Sequence, residues 1–234
     1  MVKLNNSPSL TPYLIRDFNM NTTEKTVSYV STNSYSTLNK LGNKTKNVWV
    51  VLHGIGYLSR YFLKYFDDLP KDENYIIAPQ APSKYYLNSN YRHVGASWLT
   101  KEETVRETKN VIAYLDSVLY QEDIPENCNI VVFGFSQGVS IASRWVAQKK
   151  LKCKQLVLYA GGLPNELKKC DFEFLQKNKT KVTLLVGDKD EFINVDRLKA
   201  EEEKMNELFG DSVEQIIFEG KHEVKKELVN KLVE

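Results

Sequence analysis

Residues 129–138 of the chain read Asn-Ile-Val-Val-Phe-Gly-Phe-Ser-Gln-Gly, and this stretch decides the fold. Its opening residues favour a β-strand, and residues 139–150 have the apolar period of an amphipathic helix. A serine with a glycine two positions before and two positions after it, where a strand turns directly into a helix, is typical of a nucleophile elbow. Such a turn holds the serine in a strained conformation with its hydroxyl exposed at the strand end. The pattern therefore predicts that Ser136 is a catalytic nucleophile.

Strands and helices alternate along most of the chain. The expected strands cover residues 26–32, 34–41, 47–52, 75–78, 129–133, 155–159, 182–186 and 213–218, and the expected helices cover residues 101–120, 139–150, 195–209 and 224–232. The first two strands are expected to pair as an edge hairpin. The first helix is expected to bury Val105, Thr108, Ile112, Leu115 and Leu119. This alternation indicates an α/β fold with a mostly parallel central sheet, helices on both faces, and ligands bound beyond the carboxyl ends of the strands.

Composition is that of one globular domain. With 234 residues, 42% hydrophobic and 26% charged, the chain can bury a sizeable core. We expect one domain over residues 26–234 after an N-terminal segment, residues 1–25.

A formal charge of +2 argues against a nucleic-acid partner. No apolar run approaches the roughly 18 residues of a membrane span, and the polar N-terminal segment lacks the apolar core of a secretory signal. The three cysteines (Cys128, Cys153 and Cys170) have no metal-binding spacing, so we expect reduced thiols, no metal site and a cytoplasmic location.

A serine hydroxyl needs a base to take its proton, and the chain has three histidines. His222 lies on a short loop between a predicted strand and the last helix, from which its ring can reach the elbow. His53 directly follows a strand and is expected to pack as a structural residue. His93 lies in a polar, tyrosine-rich loop, where a solvated side chain is expected. His222 is therefore the predicted general base.

Two aspartates compete to be the acid that orients the base. Asp188 and Asp190 both follow the strand over residues 182–186, and either could serve as a turn or helix-capping residue. The apolar residues after Asp190 can pin its loop to the core, so Asp190 is favoured as the acid and Asp188 as the turn residue. The order Ser136, Asp190, His222 is the order of nucleophile, acid and base in α/β-hydrolases.

An oxyanion hole needs two backbone N–H groups directed at the developing negative charge. The residue after the nucleophile, Gln137, is expected to supply one. The sequence His-Gly-Ile-Gly over residues 53–56 ends an earlier strand, and its glycines allow close backbone approach to a ligand. The N–H of Ile55 is the second expected donor, although a glycine turn without a catalytic role remains the alternative.

Several short motifs recur in a fixed order. They are Leu-His-Gly-Ile-Gly at residues 52–56, Ala-Pro-Gln-Ala-Pro at 78–82, Ser-Trp at 97–98, the elbow at 134–138, Gly-Asp-Lys-Asp at 187–190 and the histidine at 222. Together they resemble the phospholipase/carboxylesterase family of α/β-hydrolases, which includes acyl-protein thioesterases and small bacterial carboxylesterases. The resemblance covers roughly residues 47–225, and residues 83–96 depart from its pattern. It implies a triad of Ser136, Asp190 and His222 with Ile55 and Gln137 as oxyanion donors.

The predicted reaction is acyl transfer from a small-molecule carboxylic ester or thioester to water, without a metal or an organic cofactor. An amidase or peptidase on the same triad and a catalytically silent small-molecule-binding protein of the same fold are the alternatives. Residues 161–180 are too few for a large cap domain, so an open site is expected. The sequence leaves monomer and homodimer open. The expected substrate contacts, which suit core packing equally well, are Tyr57, Leu58, Trp98, Leu163 and Pro164.

Overall fold

The computed structural model describes residues 23–192, 195–210 and 213–233. Within these ranges the strands are β1 (Tyr35–Leu38), β2 (Asn47–Leu52), β3 (Asn74–Pro79), β4 (Ser83–Tyr86), β5 (Val94–Ser97), β6 (Asn129–Phe135), β7 (Gln155–Tyr159), β8 (Lys181–Gly187) and β9 (Val213–Phe218). The helices are α1 (Ser59–Phe62), α2 (Thr104–Gln121), α3 (Gln137–Lys149), α4 (Glu173–Lys177), α5 (Val195–Phe209) and α6 (Lys226–Lys231).

Seven of these strands form one sheet in the order β1-β3-β2-β6-β7-β8-β9. From β3 to β9 each neighbouring pair is parallel, whereas β1 pairs antiparallel with β3 at the edge. The carboxyl ends of β2, β6, β8 and β9 therefore meet at one edge of the sheet, where ligands bind in this architecture. The end of β2 lies on one side of the end of β6, and the ends of β8 and β9 lie on the other side.

Both faces of the sheet are covered, because its central strands are apolar on both sides. In β2, Val48 and Val50 face one core while Trp49 and Val51 face the other. Helices α2, α3 and α5 pack on the first core, and α1 and α6 pack on the second. Between β7 and β8 the described chain forms only α4 and a single turn of 3₁₀ helix, Lys169–Asp171, and no large cap domain.

The predicted α/β architecture is confirmed, and β2, β7 and β9 have the predicted bounds. The predicted edge hairpin is wrong. Residues 26–32 form no strand in the described part of the chain, and β1 pairs with β3 instead. The predicted N-terminal segment, residues 1–25, lies almost entirely outside the described residues.

The predicted inward stripe of α2 is partly wrong. Thr108, Ile112 and Leu115 are buried as expected, but Val105 is 74% exposed and Leu119 is only half-buried. Val105 lies in the first turn of α2, before the first buried residue, Thr108. The positions buried in addition are Val111 and Val118. In α3 the predicted core residues (Val139, Ala142, Trp145 and Val146) are all buried.

Cys128, Cys153 and Cys170 are free thiols, of which Cys153 is buried and Cys170 is exposed. Across the residues that the structure describes, there is no helix with the length and apolar character needed to cross a bilayer.

Candidate active site

The elbow serine occupies the single residue between β6 and α3. Ser136 has φ 53° and ψ −118°, a conformation that residues with a side chain rarely adopt. Its backbone N–H donates to the carbonyl oxygen of Tyr159 at 2.9 Å. A Cβ added at Gly134 would lie 2.5 Å from the carbonyl oxygen of Gly138, and one at Gly138 would lie 2.0 Å from that of Leu52. The two glycines are therefore required by backbone contacts on both sides of the turn.

Three side chains from different strand ends form one hydrogen-bonded chain. The Nε2 atom of His222 lies 2.9 Å from the Oγ atom of Ser136, and its Nδ1 atom lies 2.8 Å from the Oδ2 atom of Asp190. An ionised carboxylate only accepts hydrogen bonds, so Nδ1 carries the ring proton and Nε2 accepts from the serine hydroxyl. The geometry thus brings together the three residues predicted from the sequence.

The two competing aspartates have different surroundings. The Asp190 side chain is fully buried, and its second oxygen, Oδ1, accepts the backbone N–H of Phe192 at 2.9 Å. Asp188 is exposed, and its Oδ1 atom accepts the backbone N–H of Gly220 at 2.9 Å. Asp190 therefore reaches the imidazole, whereas Asp188 reaches the backbone of the loop that carries His222.

The two amides predicted to form an oxyanion hole belong to residues next to the elbow and to the loop after β2. Gln137 is the first residue of α3, so its N–H has no acceptor within the helix. Ile55 lies in the loop after β2, and Gly54 beside it is so close to Ser136 that an added Cβ would lie 3.1 Å from the serine Cβ. Among the described residues neither the Ile55 nor the Gln137 amide has a hydrogen-bond partner. Both donors are thus available near the serine.

The Gln137 side chain ties the elbow helix to the chain after β5. Its Oε1 atom accepts the N–H of Trp98 at 2.8 Å, and its Nε2 atom donates to the carbonyl oxygen of Leu99 at 2.7 Å and to the hydroxyl of Ser97 at 3.0 Å. This side chain therefore has a structural role, which is separate from the role predicted for the backbone N–H of the same residue.

His53 packs beneath the loop after β2, as expected for a structural histidine. Its ring is completely buried, its Nε2 atom accepts the N–H of Ala81 at 3.2 Å, and its Nδ1 atom is 2.8 Å from the carbonyl oxygen of Gly54. Burial lowers the pKa of His53 to about 4, so the ring is neutral at pH 7. The indole N–H of Trp98 donates to the His53 carbonyl oxygen at 2.7 Å. These bonds fix the backbone that leads to Ile55. His93, by contrast, is exposed, as expected.

The expected substrate contacts differ in how far they are accessible. Trp98 is 1% exposed and Leu58 is 5% exposed, so both pack beneath the surface. Tyr57 is half-buried, and its hydroxyl lies 3.1 Å from that of Tyr65. Leu163 is buried, and its N–H donates to Glu201 at 2.9 Å. Their contact with substrate stays a prediction, and the same holds for the buried Pro164.

A hairpin lies beside the loop that carries Ile55. The interpretation of residues 83–96 as a tyrosine-rich loop is wrong, because β4 and β5 pair there as antiparallel strands. The N–H of Gly56 donates to the carbonyl oxygen of Ala96 at 2.9 Å, and a Cβ added at Gly95 would lie 2.6 Å from the Gly56 carbonyl oxygen. The sequence Ser-Lys-Tyr-Tyr of β4 gave no strand signal, since it lacks alternation and all four side chains are exposed.

Within the described ranges, no group of three or more histidine, cysteine, aspartate or glutamate side chains is arranged to hold a metal ion.

Comparison with known proteins agrees with the fold and the geometry. The model of the phospholipase/carboxylesterase family matches residues 33–234, and the chain belongs to this family. It is therefore a hydrolase with the α/β-hydrolase fold and with activity of the esterase type. No curated protein matches the chain.

Solved structures similar to this chain share its fold at low sequence identity. The acyl-protein thioesterase 2 of Zea mays is 17% identical with a TM-score of 0.65, and the match covers 86% of this chain and 98% of that one. A phospholipase/carboxylesterase from Dyadobacter fermentans is 22% identical with a TM-score of 0.63, over 88% and 98% of the two chains. The Bacillus cereus carboxylesterase is 18% identical with a TM-score of 0.61, over 86% and 92%.

Proposed function

We propose that the chain hydrolyses carboxylic esters or thioesters of small molecules through a Ser136, His222 and Asp190 triad. The observation that carries this proposal is the continuous hydrogen-bonded chain, 2.9 Å from hydroxyl to imidazole and 2.8 Å from imidazole to carboxylate. These distances are those that a nucleophile, its base and an orienting acid require. Membership of the phospholipase/carboxylesterase family supports the same reaction class.

In the first step the acyl group moves from the substrate to the serine. The Oγ atom of Ser136 attacks the carbonyl carbon while its proton moves to Nε2 of His222. The negative charge on the carbonyl oxygen is stabilised by the N–H groups of Ile55 and Gln137. Asp190 stabilises the imidazolium. The bond to the leaving group then breaks, and His222 donates its proton to the departing oxygen or sulfur atom.

In the second step water removes the acyl group. His222 takes a proton from a water molecule, whose oxygen attacks the acyl-serine carbonyl carbon. The same two amides hold the second oxyanion. Breakage of the ester bond returns the proton to the Oγ atom of Ser136 and releases the carboxylic acid. The cycle needs no metal or organic cofactor.

The first test is turnover of short p-nitrophenyl esters. We expect the purified protein to hydrolyse p-nitrophenyl butyrate and Ser136→Ala to lose activity at least 10³-fold, roughly the scale of triad loss, while thermal unfolding shows that it is still folded. Ser140→Ala is the matched control, because the Ser140 hydroxyl lies one helical turn away and donates to the Gln137 carbonyl oxygen. Undiminished turnover by Ser136→Ala would contradict the nucleophile assignment.

A second experiment determines which leaving atom the protein prefers. Esters, thioesters and anilides of one acyl group compare oxygen, sulfur and nitrogen leaving atoms on the same triad. Faster turnover of the anilide than of the ester would favour the amidase alternative. The cytoplasmic location and the choice between monomer and homodimer stay predictions.

A further inference from the structure

The base is flanked by two aromatic rings, of which one is open to solvent. The His222 ring lies 5.0 Å, between centroids, from Phe135 and 4.8 Å from Phe192. Phe135 is 2% exposed and belongs to the core, whereas Phe192 is 59% exposed and meets the imidazole edge to face at 69°. A large apolar side chain is thus held at the surface directly beside the proposed proton donor.

The backbone of Phe192 is fixed by the acid that orients the base. Its N–H donates to the Oδ1 atom of Asp190 at 2.9 Å, and the other oxygen of this carboxylate binds the His222 ring. The Phe192 carbonyl oxygen accepts a hydrogen bond from Arg197 at 2.9 Å. One carboxylate therefore binds both the His222 ring and the Phe192 backbone.

The sheet order separates the two ends of the substrate. The loop that carries Ile55 follows β2 on one side of the elbow. The loop that carries Asp190 (the acid loop) follows β8, and the loop that carries His222 (the base loop) follows β9, both on the other side. The leaving atom has to come within about 3 Å of Nε2 of His222 to receive its proton. The leaving group consequently extends towards the β8 and β9 loops, and the acyl group extends away from them.

The exposed side chains of these loops differ in character. Among the described residues of the two loops, Phe192 is the exposed apolar side chain, and the exposed charged side chains are Asp188, Lys189, Glu191, Glu219, Lys221 and Glu223. An aromatic ring on the leaving group would remove apolar surface of Phe192 from water and gain ring–ring contact.

We infer that Phe192 forms a leaving-group subsite that selects esters of apolar alcohols, aromatic ones above all. This inference rests on the proposed function, because it assigns the leaving group to the side of His222. It concerns the alcohol portion only, which has left the enzyme once the acyl-serine has formed.

The test compares two leaving groups on one acyl group. We expect the wild type to prefer benzyl butyrate over methyl butyrate in kcat/KM, and Phe192→Ala to lower this benzyl-to-methyl ratio about tenfold, the scale of an aromatic contact with its buried area. Phe192→Leu keeps an apolar side chain and should retain most of the ratio. Tyr120→Ala is the matched control, because Tyr120 is 92% exposed at the end of α2.

The outcomes distinguish this inference from the proposed function. A ratio that Phe192→Ala leaves within twofold of the wild type, including equal losses on both esters, overturns the subsite. A ratio that falls equally in Tyr120→Ala also overturns it. Turnover of both esters that persists in Ser136→Ala overturns the proposed function instead.

Discussion

At the scale of single residues, the elbow combines a serine in a strained backbone conformation with two glycines at positions where a side chain would overlap the neighbouring backbone. Positive φ at a residue with a side chain costs roughly 1–3 kcal/mol and persists only where its surroundings enforce it. Here β6 and α3 fix the chain before and after Ser136, and the N–H of Ser136 is bonded to the neighbouring strand end. The strain directs Oγ at the His222 ring.

The requirement for glycine at position 138 is testable. We expect Gly138→Ala to lower the free energy of unfolding by about 3 kcal/mol or more, because the new methyl group would overlap the Leu52 carbonyl oxygen. Gly42→Ala is the matched control, since nothing lies within 4 Å of its added Cβ. Urea unfolding of both variants measures the difference. Equal stability of the two would mean that the turn has more space than the backbone contacts indicate.

His53 gives the fold a pH dependence whose sign can be worked out. The pKa of His53 is lowered to about 4 in the folded chain, against about 6.5 in the unfolded chain, because its ring is buried. The unfolded state therefore binds this proton first as the pH falls. The stabilising contribution is full above pH 6.5 and is lost between pH 6.5 and 4.

The measurement compares wild type with His53→Asn in urea at pH 7.5 and pH 5. We expect the wild type to lose about 2 kcal/mol more than the variant over this interval, as linkage for a shift of this direction and size requires. Should Asn fail to support the fold, His53→Gln serves instead. Parallel losses in wild type and variant would contradict a neutral, buried His53.

At the scale of elements, backbone hydrogen bonds connect the acid loop to the end of β9 and to the base loop. The N–H of Asp188 donates to the Phe218 carbonyl oxygen at 2.9 Å, and the N–H of Lys189 donates to that of Gly220 at 2.9 Å. The Asp188 carboxylate accepts the Gly220 N–H in return. Gly187 has no room for a side chain, because an added Cβ would lie 2.5 Å from the Gly220 carbonyl oxygen. The ends of β8 and β9 thus move as one unit.

This connection predicts a positioning role for Asp188. We expect Asp188→Ala to lower kcat about tenfold with little change in KM, since one charge-assisted hydrogen bond of about 1.5–3 kcal/mol is lost from the loop and not from substrate binding. Asp188→Asn keeps an acceptor oxygen and should recover much of the rate. Equal effects of Ala and Asn on kcat would argue against a hydrogen-bond role.

Elements differed in how far the sequence could predict them. β2, β7 and β9 are apolar or alternating runs bounded by turn residues, so their bounds were predictable. The β4–β5 hairpin was not, because all four residues of β4 are exposed and β5 has three buried residues in a row, so neither strand shows a period of two. Residues 26–32 have β-forming side chains but no strand, which shows that propensity without a partner strand is a weak signal.

At the scale of the whole molecule, the sheet order assembles the site from distant parts of the sequence. The elbow, the acid loop and the base loop follow β6, β8 and β9. Ser136 and His222 are 86 positions apart in the sequence, and parallel pairing of β6, β7, β8 and β9 brings them together. That Ser136, Asp190 and His222 lie together was predictable, because the elbow and the residue types follow general rules of catalysis. The supports of the site, such as the Trp98 bond to the His53 carbonyl oxygen, depend on tertiary contacts that no local pattern encodes.

The central claim is that Ser136, His222 and Asp190 act as one unit, and covalent labelling tests it most directly. A fluorophosphonate probe followed by peptide mass spectrometry should find the adduct on Ser136 in the wild type. His222→Asn should label at least 100-fold more slowly, roughly the scale of base catalysis. An adduct on another residue, or labelling of His222→Asn at the wild-type rate, would contradict the account.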